Sequence, residues 1–253
     1  MTAQRIGAAL GALMLAVAPG SAWAETAQPD GWRFALTPYI WFAGIGGEAS
    51  LPRQSRDFDA DFGDVLSNLD LAAMAVFEAR RGRFSLIVDG LYLGQDVGVT
   101  TPRNLALRGG SAELNATQLA AVGLVRAIEQ PGFGLDVGAG LRTWWIDTEV
   151  TLNPGLLTGR SAKGSANFTD PLLAMRAEVR LSDRLSFFAY GDVGGFDTGS
   201  RLTWRVLGAV SWQATQATSL QLGYRHLAVD VSRSDLALDL SFGGPILGVT
   251  IRF

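Results

Sequence analysis

The chain has no cysteine, a single histidine and a single lysine among its 253 residues. The missing cysteine excludes a disulfide framework, a thiolate zinc site, a cysteine nucleophile and a bacterial lipid-anchored N-terminus. Charge is also sparse, at 18% of residues against roughly 25% in an average soluble domain. The balance is mildly acidic, net −3 with a sequence pI near 5.2, which argues against a nucleic-acid partner, since that would want a basic face. No run of 18 apolar residues occurs, so no transmembrane helix is expected, and no cofactor motif is present. What the chain does have is 48% apolar residues and 31 glycines. That apolar content excludes disorder, and the length permits one or two soluble domains or one larger all-β barrel.

Residues 1–24 read as an export signal. Arg5 supplies the charged start, Ile6 to Ala18 is apolar, Pro19-Gly20 breaks the helix, and Ala22-Trp23-Ala24 is a small-x-small cleavage site before Glu25. Thirteen apolar residues are too few to span a bilayer. Cleavage leaves 20 basic and 24 acidic residues, net −4. A mature domain of residues 25–253 that crosses a membrane must then do so as a closed barrel, because only helices and barrels satisfy every backbone group in lipid.

Period-2 alternation recurs through residues 32–253. In 202–213, Leu202, Trp204, Val206, Gly208, Val210 and Trp212 point one way, with Thr203, Arg205, Leu207, Ala209, Ser211 and Gln213 opposite. The two tryptophans, eight residues apart, sit roughly 20 Å apart along the barrel axis, near the height of a lipid-facing band between aromatic girdles. Segments 84–92 and 133–145 repeat the design.

Short connections at Arg81-Gly82, Gln130 to Gly132, Ser182-Asp183 and Thr215 to Ala217 read as periplasmic turns, and the longer ones at 44–70, 98–112 and 150–170 as outer loops. The expectation is an all-β, antiparallel, up-and-down transmembrane barrel of ten strands: about 32–43, 71–81, 83–97, 113–128, 133–149, 171–181, 184–195, 201–214, 218–231 and 236–253. Eight or twelve strands stay open. In the last segment Leu236, Leu238, Leu240 and Phe242 share one parity and Leu247, Val249, Ile251 and Phe253 the other. A bulge at Gly243-Gly244-Pro245 is the expected cause, with a hairpin there, leaving two strands of about eight residues, as the alternative.

The terminal alternation Leu247-x-Val249-x-Ile251-x-Phe253 resembles the closing strand of Gram-negative outer-membrane proteins, which the barrel-assembly machinery reads. Thr37 to Trp41, Asp64 to Asp70 and Gly223 to Leu227 are similar to stretches of small outer-membrane β-barrel proteins, of the OmpA/OmpW type in the broad sense. The resemblance covers most of the mature chain and carries no catalytic motif. It implies an outer-membrane location, lipid as the solvent, and periplasmic chaperones and the assembly machinery as partners. It leaves the oligomeric state unknown.

Alternation collects charge on the inward face: Arg33, Arg80, Arg142, Arg176, Arg180, Arg205, Arg225 and Arg252 against Glu78, Asp89, Asp136, Glu178, Asp192 and Asp239. These groups either pair across a filled interior or line a narrow channel with slight anion preference. A barrel near eight strands is filled by side chains, whereas porins take about sixteen strands, so a plugged or very narrow lumen is favoured. In loop 44–70, Phe58, Phe62, Val65, Leu66 and Leu69 recur at helical spacing behind Asp57, Asp59, Asp61 and Asp64. This pattern raises a helical lid or plug, with an extended strand as the alternative. The aspartates fail as a calcium loop, since Gly63 falls one place late and Asn68 stands where Glu is needed. His226, near Asp230 and Asp235, is the one candidate base for a lipid- or peptide-directed rim hydrolase, but it shares a face with Leu220, Leu222 and Tyr224. The reading is a non-enzymatic barrel without cofactor or metal, either a narrow passive channel or a structural protein.

Overall fold

The computed structural model describes residues 31–253, apart from 52–53, 61–62, 64–68, 100–106, 155–159 and 234–235. The export signal lies outside the described residues. The strands are β1 Arg33–Trp41, β2 Gly44–Leu51, β3 Gln54–Ala60, β4 Leu69–Arg81, β5 Phe84–Val99, β6 Leu107–Gln130, β7 Phe133–Pro154, β8 Arg160–Arg180, β9 Leu185–Gly195, β10 Leu202–Gln213, β11 Thr218–Arg233 and β12 Leu236–Arg252. From β4 to β12 each strand pairs antiparallel with its sequence neighbour, and β1 pairs with both β4 and β12. Ten strands therefore close a barrel without an edge, the arrangement lipid demands.

Local chemistry explains the alternate ends. Gly82 and Gly132 adopt φ of +53° and +77° in two tight turns, a backbone region where glycine pays no steric penalty. The start of β1 and the end of β12 reach that same end, where Phe34 and Phe253 exchange backbone hydrogen bonds of 3.0 Å. At the opposite end β6, β7 and β8 run to 24, 22 and 21 residues, whereas β9 and β10 have 11 and 12. The wall is tall on one side and low on the other. Leu86, Leu141, Leu173, Val206, Trp212 and Leu222 all lie exposed on the outer face, the inverse of a soluble domain and the right surface for lipid.

Three sequence expectations change. The expected loop 44–70 begins as a hairpin: β2 follows the line of β1 along β12, from Gly44 opposite Gly243 to Ser50 opposite Ala237, and β3 folds back on β2. Asp57 to Ala60, the proposed start of a helical plug, are strand residues, so the extended alternative holds there; residues 61–62 and 64–68 of that plug lie outside the described residues. Of the loops expected at 98–112 and 150–170, residues 98–99, 107–112, 150–154 and 160–170 are strand, because β5 to β8 continue their ladders above the lipid band; the rest lies outside the described residues.

The third change is β12, which has no bulge. Its register with β11 runs unbroken from Thr218 opposite Ile251 to Arg233 opposite Leu236. The apolar side changes faces instead. Near the turns Leu247 and Ile251 point out to lipid, and farther up Phe242 points in and packs against Trp41 at 6.3 Å between rings. Above the lipid band the outer face meets water and the inner face must be apolar, so the hydrophobic pattern inverts while the strand keeps its phase.

Candidate functional site

The interior is built from two charged layers. The layer nearer the tight turns grows from direct cross-strand neighbours: Arg126 on β6 opposes Asp136 on β7, which opposes Arg176 on β8. Asp136, 2% exposed, accepts hydrogen bonds from Arg80 at 3.1 Å, from Arg176 at 2.8 and 3.0 Å, and from Arg126. Arg176 also grips both oxygens of Glu78 at 2.9 and 3.0 Å, and Arg126 reaches Glu178 at 3.0 Å. Three arginines thus face three carboxylates. Planar guanidinium forks can serve two acids at once, which an ammonium on a flexible stem does less well.

The second layer lies midway up the barrel. Arg142, fully buried, donates to Asp192 at 2.7 Å and to Thr203 at 3.0 Å. Arg205 bridges Asp192, at 2.8 Å, and Asp89, and it lies over the Tyr190 ring at 4.7 Å. Arg225 pairs with Asp89 at 3.2 Å and donates to the Tyr39 hydroxyl, which donates onward to Asp89 at 2.9 Å. Its guanidinium covers the Trp41 ring at 4.6 Å. Between the layers pack Ile87, Val122, Leu124, Leu172 and Ala174, and Trp41, Leu91, Trp144, Leu227, Val229 and Ile246 form a further buried apolar cluster.

Glu78, Arg80, Asp136, Arg176 and Glu178 thus meet in one layer, and Asp89, Arg142, Asp192, Arg205 and Arg225 in the other. Arg33, Arg180 and Arg252 keep the inward parity but are exposed at the rim near the turns, Arg252 donating to Ser219 at 2.7 Å. Asp239 is a correction. It opposes Asp230 on the outer face, beyond the lipid band, because the inner face of β11 there belongs to Leu227 and Val229. The terminal Leu247, Val249, Ile251 and Phe253 line up on the outer face, three of them exposed and Val249 half-buried.

Two interior residues escape the sequence reading. Arg126 follows Val122 and Leu124 on one face of β6, while Leu119 and Val125 occupy the other. Both faces are apolar, so alternation gives no phase, and a ladder irregularity between Arg126 and Ile128 hides it further. Asp170, fully buried, accepts the Ser200 amide at 2.7 Å and ties down the turn between β9 and β10. No local pattern signals that role.

His226 lies on the outer face, its ring 4.9 Å from that of Trp204, and Asp230 is ion-paired with Arg201. Higher on the tall wall, Lys163 pairs with Glu149 at 2.9 Å, and the carboxylate holds the exposed amine above its usual range. Among the described residues no group of three His, Cys, Asp or Glu is placed to hold a metal ion.

No protein-family model and no curated protein sequence matches the chain. Solved structures do. The outer membrane protease OmpT from Escherichia coli aligns over 89% of this chain and 98% of its own, at 8% identity and a TM-score of 0.56. The translocator domain of autotransporter NalP from Neisseria meningitidis aligns over 90% of each chain at 15% identity and TM-score 0.44. Neisserial surface protein A aligns over 87% of this chain and 97% of its own, at 13% identity and TM-score 0.36. The chain has the closed, ten-strand fold of the small outer-membrane β-barrel class. At such identities the likeness is one of fold alone, and it is the OmpT match that carries it.

Proposed function

We propose that this chain is a non-enzymatic, integral outer-membrane β-barrel whose lumen is closed, a structural component of that membrane more than a conduit. The observation that carries this reading is the filled interior. Arg142, Asp192, Arg205, Asp89 and Arg225 are all at most 6% exposed and pair with one another across the bore, whereas a water-filled pore would hydrate its charges. Isolated charges at this depth are expensive, and networks of partners are what make them tolerable. Refolded protein in planar bilayers is expected to give no discrete conductance steps. Regular steps from the wild-type chain would overturn the closed-lumen reading and restore the narrow channel.

The rim-hydrolase alternative would need His226 free to act as a base, and its ring is occupied by Trp204. Purified protein is expected to release no product from phospholipid or peptide substrates. Hydrolysis that disappears in His226→Ala would overturn the non-enzymatic reading. N-terminal sequencing of protein from outer membranes is expected to start at Glu25; an intact Met1 would rule out the export signal.

A further inference from the structure

The tall side of the wall ends in an open edge. β8 pairs with β7 without a bulge, from Phe133 opposite Val179 to Leu152 opposite Arg160. On its other side it pairs with β9 only from Leu172 to Arg180, because β9 stops at Gly195. Asp170 is tied to the turn after β9 through the Ser200 amide at 2.7 Å. Above it, Ser161 to Phe168 have no second strand beside them among the described residues. Exposed Trp145, opposite Asn167 on the outer face, marks the top of the lipid band. The edge therefore stands in water, where an unpaired ladder is permitted. Natural edges are commonly blunted by proline, a bulge or several charges. From Ser161 to Phe168 there is no proline and one charge, Lys163, and most other side chains are small.

The two faces beside that edge differ. On the outer face Glu113, Asn115, Asp147, Glu149, Lys163 and Ser165 surround a cleft of about 380 Å³. Three carboxylates stand there against one ammonium, which Glu149 already holds at 2.9 Å. On the inner face Ile146 and Phe168 pack against the apolar cluster that contains Trp41, Leu91 and Trp144, and Ala166 follows Phe168 up the strand.

We propose that the free edge of β8 receives one extended segment of another protein, which adds a strand antiparallel to Ser161–Phe168. Its outward side chains are lysine or arginine and the alternate, inward ones apolar. Backbone hydrogen bonds supply the pairing and alternate side chains select the partner. The basic residues lie beside the acidic cleft, and the apolar ones beside Phe168 and Ala166. A second copy of this chain cannot supply the strand. Two copies upright in one membrane, related by an axis along its normal, set their β8 edges about 80° apart, twice a strand's tilt. Paired strands differ by only about 20–25°.

The absence of native cysteine gives a clean test. Ser165→Cys places a single thiol on the outer face of the edge, and Ala166→Cys places one on the inner face. Each refolded variant, in non-ionic detergent, is mixed with peptides of about ten residues, one strand's length, that alternate lysine and valine. One residue of each peptide is replaced by cysteine, and disulfide-linked product is read on non-reducing gels. The Ser165→Cys thiol is expected to capture cysteines at lysine positions, and the Ala166→Cys thiol those at valine positions. By fluorescence anisotropy, a glutamate–valine peptide is expected to bind more than about tenfold more weakly than the lysine–valine one. Glu113→Gln with Asp147→Asn is expected to lower affinity for the lysine peptide by about three- to tenfold. N-methylation of the peptide's alternate backbone amides on the side that faces β8 is expected to abolish binding. Capture without regard to position, equal affinity for the two peptides, or no binding of the lysine peptide overturns the proposal.

Discussion

At the scale of single residues, the interior concentrates its energetics in a few carboxylates. Asp136 serves Arg80, Arg126 and Arg176 together. Asp136→Ala leaves three guanidiniums short of a partner, and the expected loss is about 3–5 kcal/mol. It is read from the urea midpoint of the refolded barrel, with an unchanged slope showing that the same surface unfolds. Glu178, whose side chain is 40% exposed, touches the same cluster from the wet edge. Glu178→Gln is expected to cost less than about 1 kcal/mol, since water substitutes for the lost partner. Asp239→Asn is expected to fall within about 0.5 kcal/mol of wild type, because its carboxylate faces outward beside Asp230. A loss as large as that of Asp136→Ala would return Asp239 to the interior.

At the scale of elements, all ten barrel strands were readable from alternation and turns, since lipid outside and paired charge inside force opposite chemistry on successive residues. Where that contrast weakens, so does the signal. Both faces of β6 are apolar through Leu119 to Val125, and Arg126 was missed. Above the lipid band the contrast reverses, and the reversal along β12 mimics a bulge. The β2–β3 hairpin reads as a loop in the sequence because Phe58 also fits a helical spacing, and only the pairing of β2 with β12 and of β3 with β2 decides for strand over 44–51 and 54–60. Because β2 covers the β12 edge from Ala237 to Gly243, deleting residues 46–59 is expected to leave heat-modifiable gel mobility intact. The upper half of β12 should then be newly open to proteolysis. Loss of the mobility shift would show that the hairpin is needed for closure.

Glycine placement adds a second element-scale prediction. A Cβ at Gly138 of β7 would lie 1.8 Å from the Gly123 carbonyl oxygen of β6, a contact no side chain can relieve. Gly138→Ala is expected to destabilise by more than the about 1 kcal/mol typical of a substitution, seen as an earlier thermal loss of the folded gel band. A neutral effect would mean that the two strands stand farther apart there.

At the scale of the whole molecule, the unequal strands set how the protein meets its surroundings. A 24-residue strand at 3.3 Å per residue and about 40° of tilt rises roughly 60 Å, while a 12-residue strand rises about half that. The lipid band takes up about 25 Å. On one flank the barrel therefore ends almost flush with the membrane, and on the other β6, β7 and β8 stand up as a three-stranded fin wetted on both sides. With the tight turns on the periplasmic side, as the sequence leads one to expect, antibodies, phage tails and neighbouring cells would meet that fin long before they reach the mouth. Its sequence can thus drift under outside pressure without disturbing the sealed bore beneath it.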